Sequence, residues 1–198
     1  MAGQDHNNDD GIACCLLHRR TVLVGLAGVA AVSIVGGALG QEAAALPPQP
    51  GDLLVRASGD DQTTPLTPAD LDVGAGLLQA WPADPVTGEA RSRSLFNLLV
   101  LSRWDDAELS ADTLPNAAGG VVANTIICTH AACEVTDWVA DAKIFECPCH
   151  LSRFDPKQNG AVVQGPATRK LPSIALGLEG ERLVIAGAFD SRVGGDAE

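Results

Sequence analysis

The stretch from Cys128 to His150 limits what this chain can be more than any other part of it. It reads Cys128-Thr129-His130-Ala131-Ala132-Cys133 and, after residues 134–146, Cys147-Pro148-Cys149-His150. Each box offers cysteine and histidine side chains within a few residues, so the fold that carries them must supply two short, well-held loops. Zinc closes a tetrahedron of four ligands around one ion, and six candidates in two near-equivalent boxes are too many for it. A c-type haem needs Cys-x-x-Cys-His, whereas Pro148 alone separates Cys147 from Cys149. A plain disulfide leaves two of the chain's four histidines at ligand spacing without a role. The pattern suits a 2Fe-2S centre, with Cys128 and Cys147 on one iron and His130 and His150 on the other.

Both boxes, in this order and at this separation, resemble the Rieske iron-sulfur family, and within it the respiratory, quinol-cytochrome c reductase-like branch. The resemblance implies a disulfide between the remaining cysteines, Cys133 and Cys149, tying the two loops together. Such a bond closes a loop over residues 134–148, which the chain-entropy model values at about 3 kcal/mol. Many dioxygenase-type members lack this second pair. Ser152 matches the serine that donates to a bridging sulfide, and Phe154 stands where high-potential members have a tyrosine that donates to a ligand sulfur. Gly165-Pro166-Ala167 matches the proline loop that covers the cluster. The respiratory pattern has Leu-Gly where this chain has Ala131-Ala132, and a glycine where it has Leu151. Those two substitutions leave the loops undisturbed only if their backbones avoid positive φ.

A chain of 198 residues allows one domain of ordinary size plus accessories. A formal net charge of -12 argues against nucleic acid and against anionic membrane surfaces, which are bound by basic patches. There is no tyrosine, while 21 glycines and 12 prolines suit short strands joined by turns. Apolar runs at residues 53–55, 76–81, 95–102, 121–127, 143–146, 162–164, 174–178 and 182–186 recur between turn residues. The fold class expected is all-β: a Rieske-type antiparallel β sandwich, or a barrel, with an inserted cluster-binding part over about residues 122–168 and one N-terminal transmembrane helix. Thr67-Pro68-Ala69-Asp70 carries the signals of one helical turn, residues 105–109 those of another, and Glu179-Gly180-Glu181 those of a closing hairpin turn. Trp81, Trp104 and Trp138 read as packing residues.

Residues 1–20 read as a polar cytoplasmic tail, with Cys14 and Cys15 as reduced thiols and Arg19-Arg20 resembling a twin-arginine export motif. Residues 21–40 carry no charge and at 1.5 Å per residue span about 30 Å, the thickness of the hydrocarbon layer. They are expected as a transmembrane anchor, with the N-terminus inside, in preference to a signal cleaved near Ala43-Ala44-Ala45. The proline-rich residues 41–52 read as the hinge linker of the family, residues 53–190 as the Rieske domain, and residues 191–198 as a frayed tail.

With two thiolates replaced by neutral imidazoles, an added electron is less strongly repelled, and the potential rises to about -150 to +300 mV, against about -400 mV for the four-cysteine type. The boxes contain no base or nucleophile, so the chain is expected to carry single electrons and to turn over no substrate alone. The resemblance implies the iron-sulfur subunit of a quinol-cytochrome c reductase, partnered by cytochrome b and a c-type cytochrome. It would sit on the bacterial cytoplasmic membrane with its domain on the periplasmic side. The alternative is the Rieske subunit of another periplasmic oxidoreductase with a molybdenum catalytic subunit, such as an arsenite oxidase.

Overall fold

The apolar runs become strands. The computed structural model describes residues 42–195, and among these are β1 (Leu53–Arg56), β2 (Leu78–Ala83), β3 (Leu99–Arg103), β4 (Val121–Thr125), β5 (Asp137–Val139), β6 (Ile144–Glu146), β7 (Arg153–Asp155), β8 (Ala161–Gln164), β9 (Ser173–Glu179) and β10 (Arg182–Phe189). The helical pieces between them are single 3-10 turns. At Pro68–Asp70 the expected turn is closed by a capping box, in which the Asp70 carboxylate accepts from the Thr67 N–H at 2.8 Å. Residues 95–97 are a 3-10 turn rather than the start of a strand, because the Ser94 side chain accepts from the Phe96 N–H and turns the chain. The β9–β10 hairpin turns where expected, with Glu179 opposite Arg182 and Gly180 at φ +63°.

Six strands form a closed antiparallel barrel in the order β1-β10-β9-β4-β3-β2. Closure comes from β1, which pairs with β2 along its whole length and with β10 at Leu53↔Val184. The remaining four strands form a second sheet, β5-β6-β7-β8, inserted in the chain between β4 and β9. The larger part is thus a barrel, and the two sheets meet through the barrel wall.

Strand periodicity explains how. Leu99 and Leu101 face the barrel interior with Leu54, Ala123, Ile174, Leu176, Leu183 and Ile185, while Leu98 and Val100 face outward onto Ile126, Phe145, Phe154 and Leu171 of the insertion. The run has no polar face because both of its faces are covered. Trp104 is buried on a third, smaller cluster, its ring 6.0 Å from that of Trp138, which in turn lies 5.8 Å from Phe145. Trp81 and Trp138 pack at the edge of the second cluster.

Both chain ends of the described part lie on the domain. Within the segment expected as a hinge, Ala43 and Ala44 are buried, and the buried Arg91 guanidinium donates to the Ala43 carbonyl at 2.7 Å and to both Asp52 carboxylate oxygens at 2.5 and 2.6 Å. Asn97 donates to the Leu46 carbonyl and the Gly51 N–H to that of Ile185. At the other end, residues 191–195 are packed rather than frayed. The tail over residues 1–20 with Cys14, Cys15 and the Arg19-Arg20 motif, and the apolar span over residues 21–40, lie outside the described residues. Among the described residues no helix is long and apolar enough to cross a membrane.

Candidate metal centre

The two boxes are the same loop built twice. In the first, the Cys128 N–H donates to the Cys133 carbonyl at 2.8 Å and the Ala132 N–H to the Cys128 carbonyl at 3.1 Å. In the second, the Cys147 N–H donates to the Ser152 carbonyl at 2.9 Å and the Leu151 N–H to the Cys147 carbonyl at 2.9 Å. Each loop leaves its opening cysteine, turns for four residues and returns to bond that cysteine at the fifth. The return requires a left-handed residue at the fourth place, and Ala132 and Leu151 supply it with φ of +57° and +59°. These are the two positions where the family resemblance puts glycine. The condition under which the substitutions would be neutral is therefore not met, and both residues carry backbone strain.

The loop bases are rigid. The Val135 N–H donates to the Ile126 carbonyl at 2.7 Å below box one. Below box two, β6 and β7 pair at Phe145↔Phe154 and Glu146↔Arg153, with the Arg153 guanidinium on the Glu146 carboxylate at 2.5 Å.

The opening cysteines are buried, unbonded thiols, each 1% exposed, at the top of the apolar cluster that contains Phe145 and Phe154. They belong to the same cluster and act on each other electrostatically. Burial pushes the Cys128 thiol up, the backbone N–H groups of His130 and Ala131 pull it down, and the neighbouring Cys147 pushes it up further. Those two N–H groups favour charge on the sulfur, as a metal thiolate needs. Cys133 and Cys149 form a disulfide. Their sulfurs and that of Cys147 lie within 4.8 Å of one another, and of the three only Cys147 has a thiol to offer.

The two box histidines meet each other, with ring centroids 4.6 Å apart and planes at 82°. His150 is exposed and His130 half-buried. The Nδ1 of His130 is buried and meets no hydrogen-bond partner among the described residues. A buried polar nitrogen without a partner costs free energy in an empty site and none when it ligates a metal. Two adjacent buried thiols, this nitrogen and an imidazole edge-on beside it fit a cluster with mixed sulfur and nitrogen ligation.

The third expected loop packs on box two. Gly165 lies at φ +89°, and a Cβ there would come within 2.5 Å of the Ser152 Cα, so a glycine is required. The Ala167 N–H donates to the Ser152 Oγ at 3.1 Å, while Pro166 is exposed. Ser152 is fully buried, and with its oxygen accepting from Ala167 its own hydrogen remains to donate. Phe154 is fully buried in the cluster that holds both thiols. Sequence reasoning missed Thr129, whose buried hydroxyl donates to the Arg169 carbonyl at 2.7 Å, and with it Arg169 and the residues of the C-terminal segment. Contacts to main-chain carbonyls leave no motif by which to find them.

Comparison with known proteins identifies the family. The sequence profile described as the Rieske [2Fe-2S] domain matches residues 99–175. The cytochrome bc1 complex Rieske iron-sulfur subunit of Streptomyces lividans is 30% identical over 151 residues, which is 73% of this chain and 85% of that one. A Haloferax mediterranei protein, provisionally named a respiratory nitrate reductase subunit Rieske, is 35% identical over 97 residues, and the match spans 43% of its length. The crystal structure of a plasma membrane Rieske protein from Synechocystis PCC 6803 overlays with a TM-score of 0.39 at 28% identity, covering 60% of this chain and 93% of that one. Because the Streptomyces lividans subunit is matched over nearly its whole length, the chain belongs to the Rieske family, whose domain binds a 2Fe-2S cluster.

Proposed function

We propose that Cys128 and Cys147 hold one iron and His130 and His150 the other, and that the chain passes single electrons as the iron-sulfur subunit of a quinol-cytochrome c reductase. The observation that carries this is that two buried thiols open a pair of matching loops and that the imidazoles of the same two loops meet edge-on. When bound, the cluster supplies a one-electron couple in the range of about -150 to +300 mV.

The protein's own groups do the rest. An imidazole that ligates through one nitrogen keeps its other N–H, which the exposed ring of His150 could donate to a quinone or quinol oxygen. Leu151, 52% exposed, with Pro148, Ala131 and Ala132, surrounds that ring with apolar surface that excludes water when pressed against a partner. The disulfide holds box one to box two, so that their ligands move as one body. Ser152 offers its hydrogen to a sulfide, and Gly165, Pro166 and Ala167 close the side of box two from which Ser152 would otherwise meet water.

Cytochrome b and a c-type cytochrome are the partners this reading assigns, supported by the Streptomyces lividans subunit and by cytochrome b6-f subunits from Synechococcus among the relatives. Residues 21–40 would anchor the chain in the bacterial cytoplasmic membrane after export through the Arg19-Arg20 motif, with the domain on the periplasmic side. A second reading, a Rieske subunit of another respiratory oxidoreductase with a molybdenum catalytic subunit, is favoured by the nitrate reductase subunit among the relatives and by the altered tip residues Ala132 and Leu151. Purification of the full chain from native membranes in mild detergent separates them. Haem b and haem c absorbance with quinol-cytochrome c reductase activity in the same fraction supports the first, and molybdenum in place of the haems supports the second.

A further inference from the structure

We propose that the segment after β10 is a working part of the cluster site, and that Arg169 and Gly195 are positioning residues that hold the box-one backbone, with His130, in place. The proposal rests on the cluster assignment above. The segment starts from a firm anchor: the Asp190 N–H donates to the Ser173 carbonyl at 2.9 Å, and its carboxylate accepts from the Ser173 N–H at 3.1 Å and from Lys170 Nζ at 2.5 Å. From there the chain crosses toward box one under the Arg169 guanidinium, which donates to the Arg192 carbonyl at 3.1 Å and the Gly194 carbonyl at 2.8 Å. Arg192 donates to the Gly195 carbonyl at 2.9 Å, and Val193 packs on the apolar cluster that contains Cys128 and Cys147.

The segment ends against the loop itself. A Cβ at Gly195 would lie 3.0 Å from the Ala132 N and 3.0 Å from the His130 carbonyl oxygen. Glycine is what allows so close an approach, and the contact falls on the peptides that matter most. The backbone N–H groups of His130 and Ala131 favour charge on the Cys128 sulfur, and Ala132 is the strained left-handed residue that closes the turn. A backbone held in a sparsely populated conformation persists only where its surroundings over-determine it. Here the inner side is held by the two turn hydrogen bonds, and the outer side by Gly195. Arg169 serves both ends of this arrangement, since its carbonyl accepts from Thr129, between two of the ligands, while its guanidinium holds the segment.

The consequence is electronic as well as mechanical. N–H donors to a ligand sulfur favour the more negative, reduced cluster, so a loop pushed off its donors has a lower midpoint potential. The test uses the full cluster-loaded chain in detergent. Gly195→Ala adds one methyl at the contact, Arg169→Gln releases the segment, and Gly187→Ala is the control, because a Cβ there would meet only the Ala175 side chain at 3.6 Å. The expected result is a lowered midpoint, altered g values in the reduced spectrum and several-fold faster cluster loss to a chelator for Gly195→Ala and Arg169→Gln, with Gly187→Ala unchanged. Midpoint and g values equal to those of the unaltered protein in Gly195→Ala would overturn the proposal, as would equal shifts in Gly187→Ala. If Arg169→Gln does not fold, Gly195→Ala decides alone. Absence of any rhombic signal in the unaltered chain would instead overturn the cluster assignment beneath it.

Discussion

Ala132 and Leu151 show what the site asks of individual residues. Each occupies a left-handed backbone position that the turn geometry imposes, and a non-glycine residue there costs about 1 kcal/mol. Ala132→Gly and Leu151→Gly should therefore each stabilise the cluster-loaded protein by about 1 kcal/mol, read as a raised urea midpoint at unchanged slope. Unchanged or lowered midpoints would show that packing of the methyl and isobutyl groups outweighs the strain. The tuning residues give a second expectation. Ser152 retains a hydrogen to donate, and such a bond to a charged acceptor is worth about 1.5 to 3 kcal/mol, an upper limit of about 65 to 130 mV for a one-electron couple. Ser152→Ala should lower the midpoint potential, and Phe154→Tyr, at a buried site in the thiol cluster, should raise it by some tens of millivolts. Voltammetry reads both, and a midpoint unmoved by Phe154→Tyr would place that ring away from the ligand sulfurs. At this scale the candidate ligands were legible because the chemistry is carried by side chains. The left-handed turns were not, since alanine and leucine carry no sign of positive φ.

At the scale of elements, apolar runs bounded by turn residues gave eight of the strands, with ends off by a few residues. β5 and β7 are three residues long and each begins on a charged residue, so neither shows as an apolar run. Closure of the barrel was equally hidden, because the partners of β1 lie at both ends of the domain and nothing local in Leu53–Arg56 names them. The docked residues 43–52 were invisible for a different reason: they are held by residues far along the chain, Arg91 on the Ala43 carbonyl and Asp52, Asn97 on the Leu46 carbonyl and Ile185 on the Gly51 N–H. Arg91→Ala would leave Asp52, 1% exposed, as an unpaired buried charge, a change that costs about 3 to 5 kcal/mol. It should also release residues 43–51, seen as faster hydrogen exchange at the Gly51 amide, which now donates to Ile185. Retained protection at Gly51 would mean that the segment is held without the ion pair. The capping box at Pro68–Asp70 gives a pH expectation. The Thr67 N–H, with smaller help from the Thr67 hydroxyl and Arg56, holds the Asp70 carboxyl below the usual range. Its contribution to stability is full above the ordinary carboxylate pKa and is lost as pH falls through the lowered folded value. Asp70→Asn should flatten that acid limb of the stability profile, and an unaltered limb would contradict it.

For the whole molecule, a closed barrel serves as a base, and the inserted sheet presents two matching loops that carry the proposed ligands. The barrel wall between them is apolar on both sides, so motion of one sheet against the other would expose Leu98, Val100 and Phe145 to water. The C-terminal segment and the disulfide close the remaining degrees of freedom around box one. Such a design suits electron transfer, where the site must change charge with little change of shape. The four-ligand centre is tested by metal and sulfide analysis of the purified chain together with the paramagnetic resonance of its reduced form, before and after His150→Ala. Two irons and two acid-labile sulfides per chain, a rhombic signal of low average g, and loss of that signal in His150→Ala are expected. Zinc in place of iron, or an intact rhombic signal in His150→Ala, would contradict it.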